Sequence, residues 1–243
     1  MCIRDSSFFN NTKNHVKVKI LGGTNYFDNG YPSGGNYWSD YSCNDVYYGP
    51  NQDIPGSDGI GDTQYIISGD GNTDNYPLIE PPTWANKGWN LITVPYKNNY
   101  TAETFGQSLD GCTVVCMFNA LSQMFQTHVV GVPWDDFSIE DGVGYYVYLT
   151  DDTVFTTTGP PISSASVNLS PGWNMIGWYH DYDTTAESLG ENISGCTVLC
   201  MFDALTQMFK THVVGIPHNN YQVTVGMGLF VYVTEESIWH GEG

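Results

Sequence analysis

The sequence contains few cationic residues. Lys and Arg together number 7, whereas Asp and Glu number 26, which gives a formal net charge of −19. A surface of this sign repels the phosphates of nucleic acids and of anionic lipids, which disfavours both as partners. The chain also lacks any run of about 18 apolar residues, so no membrane span is predicted. Most of the surplus acids are expected to be solvated surface side chains.

The motifs of several enzyme classes are also missing. The sequence has no GxSxG nucleophile elbow, no HExxH helix and no phosphate-binding loop. We therefore predict no catalytic residue, although an enzymatic region further upstream would be compatible with this sequence. The opening residues MCIRDS resemble an adaptor-derived artefact of metagenomic gene prediction. We exclude residues 1–6 from fold reasoning and expect the true protein to begin upstream.

What the sequence does contain is an internal duplication. GCTVVCMFNALSQMFQTHVVGVP at 111–133 recurs as GCTVLCMFDALTQMFKTHVVGIP at 195–217, with 18 of 23 positions identical at an offset of 84. A duplication of this kind shows which residues a structural unit keeps. Two prolines at 81–82 mark a linker before it. We therefore divide the chain into residues 7–82, module one at 83–162 and module two at 163–243.

The periodicity of the sequence predicts an all-β fold with minor helix. Module one is expected to form strands from Trp89, over 112–118, over 123–130, at Phe137 and Ile139, over 145–149 and over 154–157. These strands would give each module a small sandwich or barrel-like fold. A helical turn is predicted over 101–110 and its equivalent, and Thr184 and Glu187 are spaced as a capping box.

Three stretches before the modules carry a family resemblance. NGYPSGGNYWSDY at 29–41, GSDGIGDT at 56–63 and DNYPL at 74–78 resemble the C-terminal end of right-handed parallel β-helix proteins of the NosD type. The resemblance implies that 7–82 holds the last coil or two and a closing cap, and apolar alternation separately predicts a strand over 8–20. It also implies a periplasmic or cell-surface location in bacteria or archaea. Copper is not carried over, because no Met or His cluster accompanies the match.

The modules themselves resemble a known type of repeat. GWNLI near the start of module one and a GxGYxVY pattern at 142–148 resemble a β-rich module that occurs in tandem on bacterial and archaeal extracellular proteins. The resemblance implies a spacer or adhesive role, with surface proteins or glycans as partners, and no reaction.

The acids of the leading segment are the best candidates for a metal site. Carboxylates spaced by Gly turns suit calcium, the one cofactor that the sequence suggests. Asp and Asn also accept hydrogen bonds from nearby backbone amides in turns, and we favour that interpretation. The candidates are Asp40, Asp45, Asp53, Asp58 and Asp62.

A second candidate set recurs in both modules. Cysteine thiolates with an imidazole suit zinc or copper, and such a site would indicate a metal-delivery protein. A buried thiol or a disulfide is favoured, because Trp134 stands where His218 does and the fourth ligand is not shared. Two cysteines four residues apart in one regular strand lie about 13 Å apart, too far for a bond, so a disulfide would need either a turn between them or a bridge across the copies. The set is Cys112, Cys116, His128, Cys196, Cys200 and His212.

Three further sets of residues have both a functional and a simpler structural interpretation. Asp135, Asp136, Glu140 and Asp141 resemble an acidic cleft, but module two does not repeat them. Aromatic residues could stack on sugars, although core positions are favoured; they are Trp38, Tyr41, Trp89, Trp173 and Trp178. Sequons that would support export occur at Asn10, Asn99, Asn168 and Asn192.

The sequence thus predicts a non-catalytic structural or interaction protein of the cell surface or extracellular space, periplasmic if the source is Gram-negative. It would be stabilised by calcium if the acidic site is real. The alternative is the accessory C-terminal part of a carbohydrate-active β-helix enzyme.

Overall fold

The computed structural model describes residues 7–8, 27–28, 30–32, 34–38, 40–67, 72–79, 83–155 and 159–242. The protein is mostly β, with 40% strand and 7% helix, so the predicted all-β class with minor helix is confirmed. No helix within these ranges is long and apolar enough to cross a membrane. Two compact units are present: the leading unit (1–83 with 154–161) and the paired modules (84–153 with 162–243).

The leading unit contains only short strands. They are β1 (Ser7–Phe8), β2 (Tyr37–Trp38), β3 (Tyr47–Tyr48), β4 (Ile54–Pro55), β5 (Tyr65–Ile66) and β6 (Thr73–Asp74). The pairs β3–β4 and β5–β6 are antiparallel, and β1 lies parallel to β2. The described residues show no stack of parallel coils, so the expected β-helix is absent from them. Most of the predicted 8–20 strand lies outside the described residues.

Aromatic stacking and one buried acid organise the leading unit. Trp38 is fully buried and stacks on Tyr65 with ring centroids 4.3 Å apart, and Phe27 and Ile67 complete this core. The carboxylate of Asp74 accepts hydrogen bonds from the Trp38 indole (2.9 Å) and other donors. Rings and side-chain acceptors therefore order a segment that has almost no regular ladder.

Each module folds into a four-stranded antiparallel sheet with one short helix. Module one contains β7 (Thr83–Ala85), β8 (Gly88–Ile92), α1 (Ala102–Ser108), β9 (Cys112–Asn119), β10 (Met124–Val129), β11 (Tyr145–Leu149) and β12 (Thr153–Phe155). Module two contains β13 (Val167–Leu169), β14 (Gly172–Gly177), β15 (Thr184–Thr185), α2 (Ala186–Asn192), β16 (Cys196–Asp203), β17 (Met208–Val213), β18 (Gln222–Val223), β19 (Gly228–Val233) and β20 (Ser237–Trp239). The sheet orders are β10-β9-β11-β8 and β17-β16-β19-β14.

Two local predictions are wrong. The helix α2 begins one residue later than expected: Thr185 is the N-cap and accepts from the Ser188 amide at 3.2 Å, so Thr184 and Glu187 form no capping box. The strand predicted at Phe137 and Ile139 is reduced to a single bridge at Ser138. The predicted helical turn over 101–110 and the hairpin of 112–118 with 123–130 are confirmed.

The two modules pack against each other through reciprocal contacts. The Gln123 side chain bonds both backbone groups of Trp173, at 2.9 and 3.0 Å, and Gln207 does the same for Trp89, at 2.9 Å for each bond. The Thr93 amide donates to Gly226, and the Gly177 amide donates to Gly142. Because equivalent residues exchange equivalent bonds, the modules are related by a pseudo-twofold axis, as in a symmetric dimer.

An aromatic cluster fills the space between the two sheets. Its centre is formed by the equivalent residues Tyr146 and Phe230, whose ring centroids lie 6.1 Å apart, and Phe118 contacts Phe230 at 5.3 Å. The remaining members come from both modules: Trp89, Leu91, Val114, Cys116, Trp173, Met175, Val198, Cys200 and Phe202. This shared core explains why the modules form one compact unit.

Small residues lie on the pseudo-twofold axis. A Cβ added to Gly144 would lie 3.4 Å from the Cα of its equivalent, Gly228, and 2.7 Å from the Ile176 carbonyl oxygen. A Cβ added to Gly177 would overlap the side chain of its own equivalent, Thr93. One member of this second pair must therefore be small.

Candidate functional site: the buried glutamate-histidine pairs and their hairpins

A buried glutamate-histidine pair occurs at the same place in both modules. In module one, Nε2 of His128 lies 2.7 Å from Oε2 of Glu103, and its Nδ1 lies 3.1 Å from the backbone oxygen of Trp134. In module two, His212 contacts Glu187 at 2.5 Å and the backbone oxygen of His218 at 3.0 Å. Both histidines are fully buried.

Local structure brings these partners together. Alternation along β10 turns the His128 side chain toward α1, while Phe125 and Thr127 lie on the other face. Glu103 lies in the first turn of α1, which Thr101 caps by accepting from the Thr104 amide. The carboxylate of Glu103 also accepts from the Gly131 amide at 2.8 Å. One acidic side chain thus connects the helix, the strand and the turn that follows it.

The hydrogen-bonding groups determine what the pair can do. Both ring nitrogens of each histidine face oxygen acceptors. A neutral imidazole has one N–H and would serve only one of them, whereas the protonated ring serves both. The hydrogen bonds from His128 and then from Gly131 lower the pKa of Glu103 below its ordinary value. The pair is thus a charge-assisted clamp whose histidine has no contact with solvent.

Sequence reasoning missed the glutamates. It identified both histidines as candidates for a soft-metal set. Glu103 and Glu187 carried a usable signal, because the tripeptide TAE occurs at 101–103 and again at 185–187 with the same offset. That signal was obscured when Glu187 was assigned to a capping box with Thr184.

The cysteines do not join these histidines. The free thiols of the described residues include Cys112, Cys116, Cys196 and Cys200, all buried. Burial raises the pKa of Cys112 and of Cys196 to about 11, which keeps both thiols protonated. In the structure these cysteines are therefore buried free thiols, which supports the buried-thiol alternative.

A bulge separates the cysteines of each strand. The register between β16 and β19 shifts after Cys196, which packs in the core of module two, whereas Cys200 faces the aromatic cluster. Cysteines four residues apart would share one face of a regular strand, and the shift in register places them in different surroundings. No group of three His, Cys, Asp or Glu side chains in the described ranges could hold a metal ion. The proposed zinc or copper site is therefore not assembled.

The acids of the leading unit act as turn acceptors. Asp45 accepts from the amides of Asp58 and Gly59 at 3.0 and 2.8 Å, and Asp62 accepts from two further backbone amides. Asp58 is buried, and burial raises its pKa to about 6 despite its hydrogen bonds. Asp40 accepts from a tyrosine hydroxyl. These bonds support the favoured turn interpretation, while calcium binding stays a prediction.

The acids after β10 do not form a cleft. Asp136 accepts from the backbone amide of Glu103 at 2.9 Å, next to the N-terminus of α1. Asp141 pairs with Lys97. Asp141 and Glu140 line an open depression of about 440 Å³ together with Ser164, Ala165 and Ser166. Asp136 therefore lies at the helix, apart from the depression that Glu140 and Asp141 share.

The aromatic residues proposed for sugar stacking are mostly core residues. Trp38 and Trp178 are fully buried, while Trp89 and Trp173 pack in the cluster between the modules. The Tyr41 hydroxyl donates to the Thr63 carbonyl within the leading unit. Of the sequon asparagines, Asn99, Asn168 and Asn192 are exposed, and Asn10 lies outside the described residues.

Several strongly exposed apolar side chains of the paired modules lie at equivalent positions on the duplicated hairpins. Leu121 is 86% exposed and its equivalent Leu205 is 79% exposed, while Met124 and Met208 are 67% and 66% exposed. Such residues add little to the stability of a fold, yet the two modules keep them identical. They form what we call the hairpin tips.

No protein-family model, curated protein or solved structure matches this chain. The interpretation of the site therefore depends on its geometry.

Proposed function

We propose that this chain is a non-catalytic structural and interaction protein of the cell surface or extracellular space. The proposal depends on the burial and the hydrogen bonding of the duplicated Glu103–His128 and Glu187–His212 pairs. Both modules contain this pair, and a carboxylate next to an imidazole is a combination that acid-base catalysts use. Both histidines are fully buried, and each ring nitrogen already faces an acceptor. A group that substrate cannot reach holds a fold together instead of performing a reaction.

The hairpin tips support an interaction role. Protein surfaces rarely keep matched apolar side chains in solvent without a use, and exposed apolar patches commonly mark binding sites. Some polar positions of the same hairpins differ, as Gln126 and Lys210 do, whereas these leucines and methionines are the same. Two copies on one compact unit would bind a repetitive partner with higher avidity than one copy.

The location of the protein also belongs to this proposal. The resemblance of 8–80 to the ends of surface β-helix proteins, the acidity and the exposed sequons at Asn99, Asn168 and Asn192 support export. The finer expectation of terminal β-helix coils stays part of the proposal, since most of the predicted 8–20 strand lies outside the described ranges. The carbohydrate-active alternative is less well supported, because Trp38 and Trp178 are buried and cannot stack on a sugar.

A retention assay on envelope material tests the proposal. The full chain would be compared with a variant carrying Leu121→Ser, Met124→Thr, Leu205→Ser and Met208→Thr, using immobilised polysaccharides and cell-envelope fragments. We expect retention to fall about tenfold in the variant, with no release of reducing sugar ends. Ile66→Thr is the matched control, because Ile66 is equally exposed but lies in the leading unit.

Two outcomes would contradict the proposal. One is the release of reducing sugar ends that His128→Asn abolishes, which would make the pair catalytic. The other is retention that is unchanged in the hairpin variant, or absent for every surface tested.

A further inference from the structure

The outer strand of the module-one sheet has a free main-chain edge. Strand β10 has β9 as its neighbour and lies at the end of the sheet order. The Val130 amide donates to the Thr113 carbonyl, so alternate residues from Val130 backward point toward β9. The amide and carbonyl groups of Phe125 and Thr127 therefore point away from the sheet. In the part of the chain that the structure describes, no strand pairs with them.

Module two closes the same edge with a side chain. There, Nδ2 of Asn219 donates to the carbonyl oxygen of Thr211, the equivalent of Thr127, at 3.1 Å. Module one has Asp135 in place of Asn219, with a similar left-handed backbone, at φ 60° against 56°. A carboxylate has no N–H to donate. Among the described residues no side chain donates to the Thr127 carbonyl, and the residue equivalent to Asn219 is an acceptor.

A second difference also makes the edge of module one more accessible to a strand than the edge of module two. Module two carries Lys210 in β17, where module one carries Gln126. A lysine on an edge strand is a common device against pairing with another chain, and it repels a cationic strand directly. The hairpin of module one at 111–133 contains no Asp, Glu, Lys or Arg, and Asp135 and Asp136 follow it. Module one thus has an open, acid-flanked edge, whereas module two has a closed, lysine-guarded one.

The overall charge selects among possible occupants. The paired modules contain 16 Asp and Glu against three Lys and no Arg. A second copy of this chain would bring another acidic edge to Asp135 and would be repelled. A cationic extended segment would be attracted, and its amides would meet the free carbonyls of β10.

We propose that the β10 edge of module one binds an extended peptide segment with alternating apolar and Lys or Arg side chains, by strand addition. The apolar side chains of the segment lie beside Phe125 and Val129, and a cation faces Asp135. The β17 edge does not bind it. This inference rests on the proposed interaction function and names one partner class for it.

The amide resonances of the two edges in one molecule provide the test. The full chain, labelled with 15N, would be titrated with an acetylated and amidated Lys-Val-Lys-Val-Lys-Val-Lys peptide at about physiological salt. We expect saturable shifts at Phe125, Thr127 and Val129, and none at Phe209, Thr211 and Val213. A peptide of the same charge that is N-methylated at every residue has no backbone N–H on either edge, so it cannot pair as a strand and should not produce them.

Matched substitutions should exchange the binding properties of the two edges. Asp135→Asn supplies the missing donor and should weaken peptide binding about fivefold, the effect of one hydrogen bond. Asn219→Asp together with Lys210→Gln should create a second binding edge at Phe209 and Thr211. The proposal is overturned if the Phe125 and Thr127 amides do not shift, if both edges respond alike, or if the N-methylated peptide binds equally well.

The two proposals can fail separately. Absence of peptide binding with envelope retention intact would remove the strand-addition site and leave the interaction function. Release of sugar ends would remove the interaction function, whatever the peptide does.

Discussion

Module one and module two have almost the same fold but differ where they meet each other and where they meet solvent. The Glu103–His128 and Glu187–His212 clamps are repeated with nearly the same distances. Thr93 and Gly177 are equivalent positions with opposite sizes, and Asp135 and Asn219 are equivalent positions with opposite hydrogen-bonding roles. The comparison shows that the clamp is required within each module, whereas the axis and the edge are free to diverge.

The largest expected effect comes from the centre of the aromatic cluster. Phe230→Ala would remove a buried ring that contacts both modules, and we expect a loss of about 3 kcal/mol or more of unfolding free energy. Tyr146→Ala should cost a similar amount, because the two residues are equivalent. Urea unfolding would measure both variants, with Tyr146→Phe as a control of nearly unchanged stability. A cost below about 1 kcal/mol for Phe230→Ala would mean that the modules do not share a core.

The next prediction concerns the pair on the axis. Gly177→Thr would force two threonines together, and we expect a loss of about 1–3 kcal/mol from overpacking. The double variant Thr93→Gly with Gly177→Thr should recover much of this loss, since it only exchanges the two side chains. Thermal unfolding of the single and double variants would measure the coupling. Additive costs would show that the two positions do not meet.

The clamps should respond alike in the two modules. His128→Leu leaves the Trp134 carbonyl and the Glu103 carboxylate without their donor, and we expect a loss of about 2 kcal/mol. His212→Leu should give the same value within about 0.5 kcal/mol. Urea unfolding of each variant would be compared with the parent chain. A near-zero loss of unfolding free energy in one module alone would show that the two clamps do not contribute equally to stability.

The smallest effect concerns pH. The native pKa of Glu103 lies below its ordinary value of 4.5, because His128 and Gly131 donate to the carboxylate. Its contribution to stability is therefore fully present above about pH 4.5 and is lost as the pH falls through the lower native value. The unfolding midpoint should fall less steeply between about pH 5 and 3 in Glu103→Gln than in the parent chain. Parallel curves would contradict the clamp.

The duplication made the modules the predictable part of the molecule. Periodicity located the helix at 101–110 and the hairpin that carries His128, because apolar alternation and helix spacing are local properties of the chain. The bulge that turns Cys112 and Cys116 to different surroundings has no such local signature, since it depends on the register with β11. The partner of His128 lies 25 residues away and required the repeat of TAE to be recognised.

The packing of the two sheets could not be predicted either. The sequence indicated that the modules are copies, but neighbouring copies can pack side by side, face to face or not at all. The reciprocal bonds of Gln123 and Gln207 involve exposed polar residues that periodicity does not distinguish from solvated ones. In the leading unit, the order depends on ring stacking around Trp38 and on buried acids such as Asp74, which leave little regular pattern in a sequence.

The unequal pair on the axis, Thr93 and Gly177, makes the two modules non-interchangeable. Module one fits module two because Thr93 occupies the space that Gly177 leaves, so two copies of module one would bring two threonines into the same place. Contacts between like modules of neighbouring chains are therefore disfavoured even where such chains are crowded together. Any exchange of modules between chains would have to join a first module to a second, which preserves their order and prevents self-matched assemblies.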